Sequence, residues 1–341
     1  MKRTILMISL SLFLVGCEQT ETERHVETDN PGIVKEVFAP KKLPRAEGEI
    51  RFVAGWWDEE QILYIDHQEG LDRLRSFNIA TGNVHTMFTD QAAISEVLIH
   101  PSKEQVLIKT ANHATEANIA ILDKDMKILD EVTVESSELE IQWNAVDSNQ
   151  LLISAFQEDW SFQVMHYDIN ERRIQPIEVD NPFPKWLGKD QIVYLDDSEL
   201  IKETFEKKEK EVLAADTEEL HNSAGQLLVE SAGEDHKEYA VLDSDGEEKY
   251  SWQAETSSET IEDVEFIDED NIIMSTREEI SDDDQSAVFI HRQEGQEVKR
   301  YETTAEGGMI DCSPDGNSCL VGYSLDTILQ LDTGETMKWT E

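Results

Sequence analysis

Beyond about residue 50, the chain repeats one pattern of apolar and polar positions. Each repeat has a polar turn, a short and strongly apolar segment, a polar loop, and two further segments in which apolar and polar residues alternate. Alternation with a period of two is typical of half-buried β-strands. The apolar segments begin at positions 62, 106, 151, 192, 227, 272 and 319, so successive repeats lie 44, 45, 41, 35, 45 and 47 residues apart.

Tight-turn dipeptides recur late in the repeats, as in Thr81-Gly82, Asp245-Gly246 and Thr333-Gly334. Four strands in a period of about 40–45 residues are the signature of a β-propeller blade. We therefore predict an all-β chain folded as a β-propeller of four-stranded antiparallel blades, with seven repeats. The fourth repeat is rich in Lys and Glu, and its residues 199–214 would also suit a surface helix, which would leave six blades.

The N-terminus has the pattern of a targeting segment. Lys2 and Arg3 precede an apolar run at 5–15, which is shorter than the roughly 20 residues of a membrane-spanning helix. Gly16 and Cys17 follow, and together with Leu14 and Val15 they resemble the lipobox of bacterial lipoproteins. The resemblance implies a signal peptide at 1–16 and a diacylglycerol on Cys17, whereas the alternative is an ordinary secretory signal with an incidental cysteine.

These features divide the chain into three parts. Residues 1–16 form the signal peptide, residues 17–48 an acylated cysteine with an acidic tether, and residues 49–341 the propeller. A lipid on Cys17 would anchor the protein at the extracytoplasmic face of the cell membrane, since acyl chains supply the membrane affinity that the acidic chain lacks.

The charge of the chain narrows the choice of partners. There are 29 Lys and Arg residues against 74 Asp and Glu, a formal net charge of −45. Nucleic acid is excluded as a partner because binding its phosphates requires basic patches. The acidity itself has two interpretations: solubility in a salty or alkaline exterior, or a surface that attracts cations or a basic partner.

Several tryptophan motifs carry a resemblance to a known family. They are Gly55-Trp56, Ile141-Gln142-Trp143-Asn144, Glu158-Asp159-Trp160 and Pro184-Lys185-Trp186. Together with the apolar segment Leu151-Leu152-Ile153-Ser154-Ala155-Phe156, they resemble the YqgU-like β-propeller lipoproteins of Gram-positive bacilli. The resemblance implies a propeller at the cell surface and is usually associated with six blades. The resemblance does not indicate what activity the protein has.

The chain lacks the short motifs of familiar catalytic sites. It has no Gly-x-Ser-x-Gly nucleophile motif, no His-Glu-x-x-His zinc motif and no phosphate-binding glycine loop. No cofactor or metal is therefore predicted.

The loops between second and third strands should open on one face of a propeller, and here they carry acids, histidines and one tryptophan. The candidate binding residues on this face are Glu158, Asp159, Trp160, His67, His113 and His236. The alternative is that these loops are merely polar, as any loop would be in so acidic a chain.

Two functions remain open at this point. The first is a non-catalytic binding or scaffolding module at the cell surface, with a protein or cell-wall ligand. The second is a carbohydrate- or lactone-active hydrolase with acidic residues at the channel mouth. Propellers host both kinds of function, so the fold alone cannot decide between them. Two carboxylates about 5–10 Å apart beneath an aromatic ring would favour the hydrolase.

Cys312 and Cys319 flank a turn containing Asp315 and Gly316. A tight turn would place the two cysteines on facing strands, where an oxidising compartment favours a disulfide. The alternative is a pair of reduced cysteines packed as small apolar residues.

Overall fold

A computed structural model describes residues 40–44, 48–205, 209–223, 226–233, 236–243, 245–254, 259–268, 271–280, 285–294, 297–303, 305 and 307–340. The predicted signal peptide, Cys17 and most of the predicted tether lie outside these residues. The described part of the chain has no helix long and apolar enough to cross a membrane.

All regular structure in the described chain is β-sheet, arranged as seven four-stranded blades in a ring. Blades 1 to 4 are β1 (Glu49–Trp56), β2 (Gln61–Gln68), β3 (Leu71–Asn78) and β4 (Val84–Asp90); β5 (Ala93–Ile99), β6 (Gln105–His113), β7 (Glu116–Asp123) and β8 (Ile128–Glu135); β9 (Glu138–Trp143), β10 (Gln150–Phe156), β11 (Phe162–Asp168) and β12 (Arg173–Ile177); β13 (Lys185–Trp186), β14 (Gln191–Asp196), β15 (Glu199–Thr204) and β16 (Glu209–Ala214). Blades 5 to 7 are β17 (Thr217–Ser223), β18 (Gln226–Ala232), β19 (Lys237–Leu242) and β20 (Glu248–Gln253); β21 (Thr260–Phe266), β22 (Asn271–Ile280), β23 (Gln285–Glu294) and β24 (Glu297–Thr303); β25 (Ile310–Cys312), β26 (Ser318–Val321), β27 (Thr327–Gln330) and β28 (Thr336–Lys338).

Each blade is an antiparallel meander of four consecutive strands, so the predicted β-propeller is confirmed. The first strands of most neighbouring blades contact each other, and the contact between β1 and β25 closes the ring. The repeat prediction of seven blades is correct, because residues 199–204 and 209–214 pair as strands β15 and β16 rather than forming a helix. Leu200 and Ile201 are buried in this hairpin, and Lys202 forms an ion pair with Glu211 across it at 2.9 Å.

The hydrophobic core is divided into seven clusters, one between each pair of neighbouring blades. The second strand of each blade supplies residues to the clusters on both of its sides. In β2, for example, Ile62 and Tyr64 face blade 7, whereas Leu63 and Ile65 face blade 2. A strand buried on both faces reads as a continuous apolar run, which is why this strand marks the repeat in the sequence.

The cluster between blades 7 and 1 includes a residue that precedes the first strand. Leu43 is buried there beside Trp56 and Trp339. Its main-chain N–H donates to the carbonyl oxygen of Trp339, and that of Lys41 donates to the carbonyl oxygen of Ile79. The packed part of the chain thus includes residues 40–44, ahead of β1.

Candidate functional site

The predicted binding residues lie at one face of the propeller, which we call the loop face. At this face, the second and third strands of each blade are joined and each blade connects to the next. His67 and His113 lie near the ends of β2 and β6, Trp160 in the β10–β11 turn, and His236 just before β19. The prediction that these residues share a face agrees with the strand order.

The structure does not gather these residues into one cluster. They belong to blades 1, 2, 3 and 5, and in the described chain no hydrogen bond, ion pair or ring contact links a predicted histidine to Trp160. His113 and His236 are exposed. The loop face is therefore a set of separate turns, of which each must be judged by its own surroundings.

His67 is part of a charged network that joins blade 1 to blade 2. Its Nδ1 lies 2.7 Å from a carboxylate oxygen of buried Asp72, which also pairs with Arg51 and accepts a hydrogen bond from the N–H of Ile94 at 2.8 Å. Burial alone would raise the pKa of Asp72, but the hydrogen bonds from His67 and Ile94 and the charge of Arg51 lower it. The contacts of His67 are those of a structural residue.

Trp160 is the most exposed large apolar side chain in the described chain, at 75% exposure. It occupies a left-handed backbone conformation with φ of 64°, in a turn closed by hydrogen bonds from Trp160 N–H to the Gln157 carbonyl and from Gln157 N–H to the Ser161 carbonyl. Asp159 accepts hydrogen bonds from the hydroxyl and the N–H of Ser161 at 2.6 and 3.0 Å. These bonds lower the pKa of Asp159. A well-bonded turn thus presents Trp160 to solvent.

More aromatic side chains lie beside this turn. Phe162 and Phe183 are 36% and 53% exposed, and their ring centroids lie 6.2 and 5.6 Å from that of Phe156, which is buried. The Asn181 side chain accepts the N–H of Phe183 and donates to the carbonyl of Leu195, which fixes this connection to blade 4. We call Trp160, Phe162 and Phe183 the aromatic patch.

The sequence pattern indicates Trp160 as a candidate but not Phe162 or Phe183. A signal for Phe183 is present, because it stands between Pro182 and Pro184, and two prolines so close together disfavour a strand. Phe162 begins β11 and has no such signal, since a phenylalanine at that position is ordinary for a strand.

Three carboxylates on the first strands of blades 6 and 7 have a different role. The Asp263 side chain accepts the N–H of Ile310 at 2.9 Å, Glu265 accepts that of Cys312 at 2.6 Å, and Asp311 accepts that of Trp56 at 2.5 Å. Each bond runs from the first strand of one blade to that of the next. A first strand has one unpaired edge, and these carboxylates satisfy its N–H groups.

Burial between the blades raises the pKa of Asp263 and of Glu265, and raises that of Asp311 to about 6. The Lys103 ammonium group opposes the effect on Asp311 and Glu265, and donates to the Trp56 carbonyl at 2.8 Å. Groups with displaced pKa values can mark catalytic sites, but structural networks displace them as well. Here the carboxylates are engaged in joining blades 6, 7 and 1.

A cavity of about 450 Å³ opens on the face opposite the loop face. Trp57, Lys103 and Pro314 contribute to its wall, beside the β1–β2 turn. The acid in that turn, Asp58, is engaged by the N–H groups of Glu60 and Gln61 at 2.8 and 2.7 Å. In the described residues no group of three or more His, Cys, Asp or Glu side chains could hold a metal ion.

Cys312 and Cys319 are paired opposite each other on β25 and β26, and their sulfur atoms form a disulfide. Both cysteines are buried in the cluster between blades 6 and 7. The cross-link lies away from the aromatic patch and belongs to the core of blade 7.

Known proteins resemble this chain in sequence and in fold. The lipoprotein YqgU of Bacillus subtilis strain 168 is 24% identical over 348 residues, covering 97% of this chain and 95% of the relative. The crystal structure of an uncharacterized protein from Listeria monocytogenes EGD-e matches with a TM-score of 0.78 at 17% identity, over 89% of this chain and 98% of that one. The β-propeller domain of the Trilobed protease from Pyrococcus furiosus, described as having an open velcro topology, matches with a TM-score of 0.60 at 12% identity, over 86% of this chain and 98% of that one.

The sequence model of the YqgU-like 6-bladed β-propeller domain matches residues 78–322. This range begins at the end of β3 and ends just after β26, so it contains blades 2 to 6 completely and parts of blades 7 and 1. A match over most of the chain, with the same fold, makes the protein a member of the YqgU-like β-propeller family, built here with seven blades.

Proposed function

We propose that the protein is a lipid-anchored, non-catalytic binding module at the extracytoplasmic face of the membrane, and that the aromatic patch is its contact surface. The observation that carries the proposal is the exposure of Trp160 on a well-bonded turn beside Phe162 and Phe183. Exposed clusters of large apolar side chains cost solubility, and they are characteristic of interaction sites.

The location rests on two supports. The lipobox at 14–17 predicts acylation of Cys17, and the relative in Bacillus subtilis is a lipoprotein. An anchored propeller exposes many turns to the cell exterior, and rigid turns on a rigid scaffold are suitable for recognition.

The hydrolase alternative has weaker support in the geometry. Its acids would need to reach a substrate, yet Asp263, Glu265 and Asp311 accept main-chain N–H groups of the neighbouring blade. The aromatic patch lies on blade 3 and on its connection to blade 4, whereas these carboxylates lie on blades 6 and 7.

Site-specific photo-crosslinking in the producing cells tests the proposal. Benzoylphenylalanine at position 161, beside Trp160, should yield a discrete crosslinked species, and the same probe at position 146, on the opposite face, should not. Val146 is 59% exposed and provides a matched site. The species should disappear when Trp160→Ala and Phe183→Ala are combined, and should persist with Tyr323→Ala, which removes another exposed aromatic side chain from the loop face.

Two results would contradict the proposal. One is equal crosslinking from positions 146 and 161, and the other is crosslinking that does not change when the aromatic patch is removed. Thermal melts of each variant provide the control for folding, and removing exposed side chains should leave the melting temperature nearly unchanged.

A further inference from the structure

We infer that the aromatic patch binds a basic protein segment with apolar side chains, in which Lys or Arg residues flank Leu, Phe or similar anchors. The inference rests on the proposed function and adds the chemistry of the partner. It follows from the charges around the patch and from the arrangement of the rings.

The borders of the patch are acidic. Three segments surround it: the β10–β11 turn at 157–161, the connection to blade 4 at 178–184, and the β14–β15 turn at 195–199, which the Asn181 side chain contacts through the Leu195 carbonyl. These segments contain seven Asp and Glu residues and no Lys or Arg. The acids are Glu158, Asp159, Glu178, Asp180, Asp196, Asp197 and Glu199, and all seven are exposed.

The cation closest in sequence to the aromatic patch interacts with acids outside the three segments. Lys185, half-buried at the start of β13, interacts with the charges of Glu140 and Glu219, on the first strands of blades 3 and 5. The three segments therefore carry a net negative charge beside Trp160 and Phe183. A basic partner would be attracted, and a polyanion or an anionic lipid surface would be repelled.

The aromatic rings favour a protein over a neutral glycan. The ring of buried Phe156 is inclined at 45° to that of Phe162 and at 34° to that of Phe183, so these three rings do not share one plane. One oxygen of the Asp159 carboxylate, a candidate for sugar hydroxyls, already accepts both hydrogen bonds from Ser161. Contoured apolar surfaces with a polar rim accept side-chain anchors, and an exposed indole attracts Lys and Arg.

The test is a calorimetric titration of the full mature protein with four defined probes. The first is a short peptide of alternating Lys, Leu and Phe. The second carries Glu in place of Lys, the third carries Ser in place of Leu and Phe, and the fourth is a neutral chito-oligosaccharide. The first peptide should bind, with an affinity that falls as salt is added, and the other three should bind at least about ten-fold more weakly.

Matched variants separate local recognition from attraction to the overall charge. Combining Glu158→Lys with Asp180→Lys should weaken binding of the first peptide about ten-fold, and so should combining Trp160→Ala with Phe183→Ala. Combining Glu59→Lys with Glu171→Lys changes the net charge equally at exposed sites on the opposite face, and should change the affinity by less than about two-fold.

The outcomes distinguish the inference from the function on which it rests. A basic protein partner is overturned if the variant with Glu158→Lys and Asp180→Lys and the variant with Glu59→Lys and Glu171→Lys lose peptide affinity equally. It is also overturned if the protein prefers the oligosaccharide. In either case, the proposed binding function stands if photo-crosslinking still depends on Trp160. Unchanged peptide affinity without Trp160 and Phe183 overturns the inference. If crosslinking is also unchanged, the proposed function fails with it.

Discussion

The main-chain N–H of Leu43 donates a hydrogen bond to the carbonyl oxygen of Trp339 at 2.7 Å, so the chain closes on itself near both ends of its packed part. Trp339 is fully buried and stacks on Phe77 with ring centroids 5.5 Å apart. Each blade consists of consecutive strands, and within the described residues all four strands of blade 7 come from the C-terminal part of the chain. The ring therefore depends on side-chain packing and on single hydrogen bonds for its closure.

The contribution of Leu43 can be measured directly. Leu43→Ala removes a buried side chain from the cluster between blades 7 and 1, and should lower the free energy of unfolding by about 2–4 kcal/mol. The measurement is urea denaturation followed by circular dichroism. Lys42→Ala, at the exposed neighbouring position, is the control and should change the stability by less than about 0.5 kcal/mol. Equal effects of the two substitutions would show that the segment does not contribute to closure.

The blades could be predicted from sequence because their signal is local and repeated. The second strand is buried on both faces, and its continuous apolar run appears in every copy, including 192–195 in the atypical fourth blade. The charged residues 199–214 were ambiguous because Lys and Glu suit an exposed helix as well as an outer hairpin. In the structure, β15 pairs with β14, so the outer strands form a hairpin. Sequence alone does not show this pairing.

The site was less predictable, because it depends on which chain segments meet. Trp160 stood out as a large apolar residue in a polar turn, but its neighbour Phe183 arrives from a different connection. The acids at the loop face and the acids between blades look alike in sequence. Only the structure shows that Asp311 accepts the N–H of Trp56, 255 residues away, whereas Glu158 is exposed.

Acylation of Cys17 remains a prediction from the lipobox. Cys17→Ala should abolish incorporation of a fatty-acid analogue and release the protein from the membrane fraction, because the acidic chain has little affinity of its own for an anionic membrane. Metabolic labelling followed by membrane fractionation measures both effects. Ser11→Ala, in the apolar run, should preserve labelling. Lipid label on the Cys17→Ala chain would show that the anchor lies elsewhere.

The disulfide between Cys312 and Cys319 should contribute modestly to stability, since it closes a short loop at a sequence separation of seven. Replacing both cysteines with Ala should lower the free energy of unfolding by about 2 kcal/mol through the entropy of the unfolded chain, with a further loss from the smaller buried side chains. Reduction of the wild-type protein isolates the entropic part. Thiol titration of the denatured, acylated chain should find no free thiol before reduction and two afterwards; two thiols before reduction would contradict the cross-link.

Asp311 should make stability depend on pH in an unusual direction. Burial raises its pKa from 3.8 to about 6, so the folded state binds a proton more tightly than the unfolded state does. The stability from this group is fully present below about pH 4 and is lost as the pH rises through about 6. Asp311→Asn removes the titrating group while its amide oxygen can still accept the N–H of Trp56. As the pH rises from 4 to 7, the free energy of unfolding of the variant should therefore increase relative to that of the wild type by on the order of 2–3 kcal/mol.

Asp315 in the adjacent turn provides a control of opposite sign. Burial would raise its pKa, but hydrogen bonds from Ser313 and Asn317 lower it, so its contribution to stability is present at neutral pH and lost as the pH falls. Asp315→Asn should therefore lose stability relative to wild type as the pH rises, whereas Asp311→Asn gains it. Because the lowered pKa of Asp315 lies below 3.8, its slope appears below about pH 4, whereas that of Asp311 appears between about pH 4 and pH 7. Urea denaturation of the three proteins from pH 2 to pH 8 measures both slopes. If the two variants have slopes of the same sign, the repulsion among the protein's many acids controls its pH dependence, and the burial of Asp311 between blades 7 and 1 does not.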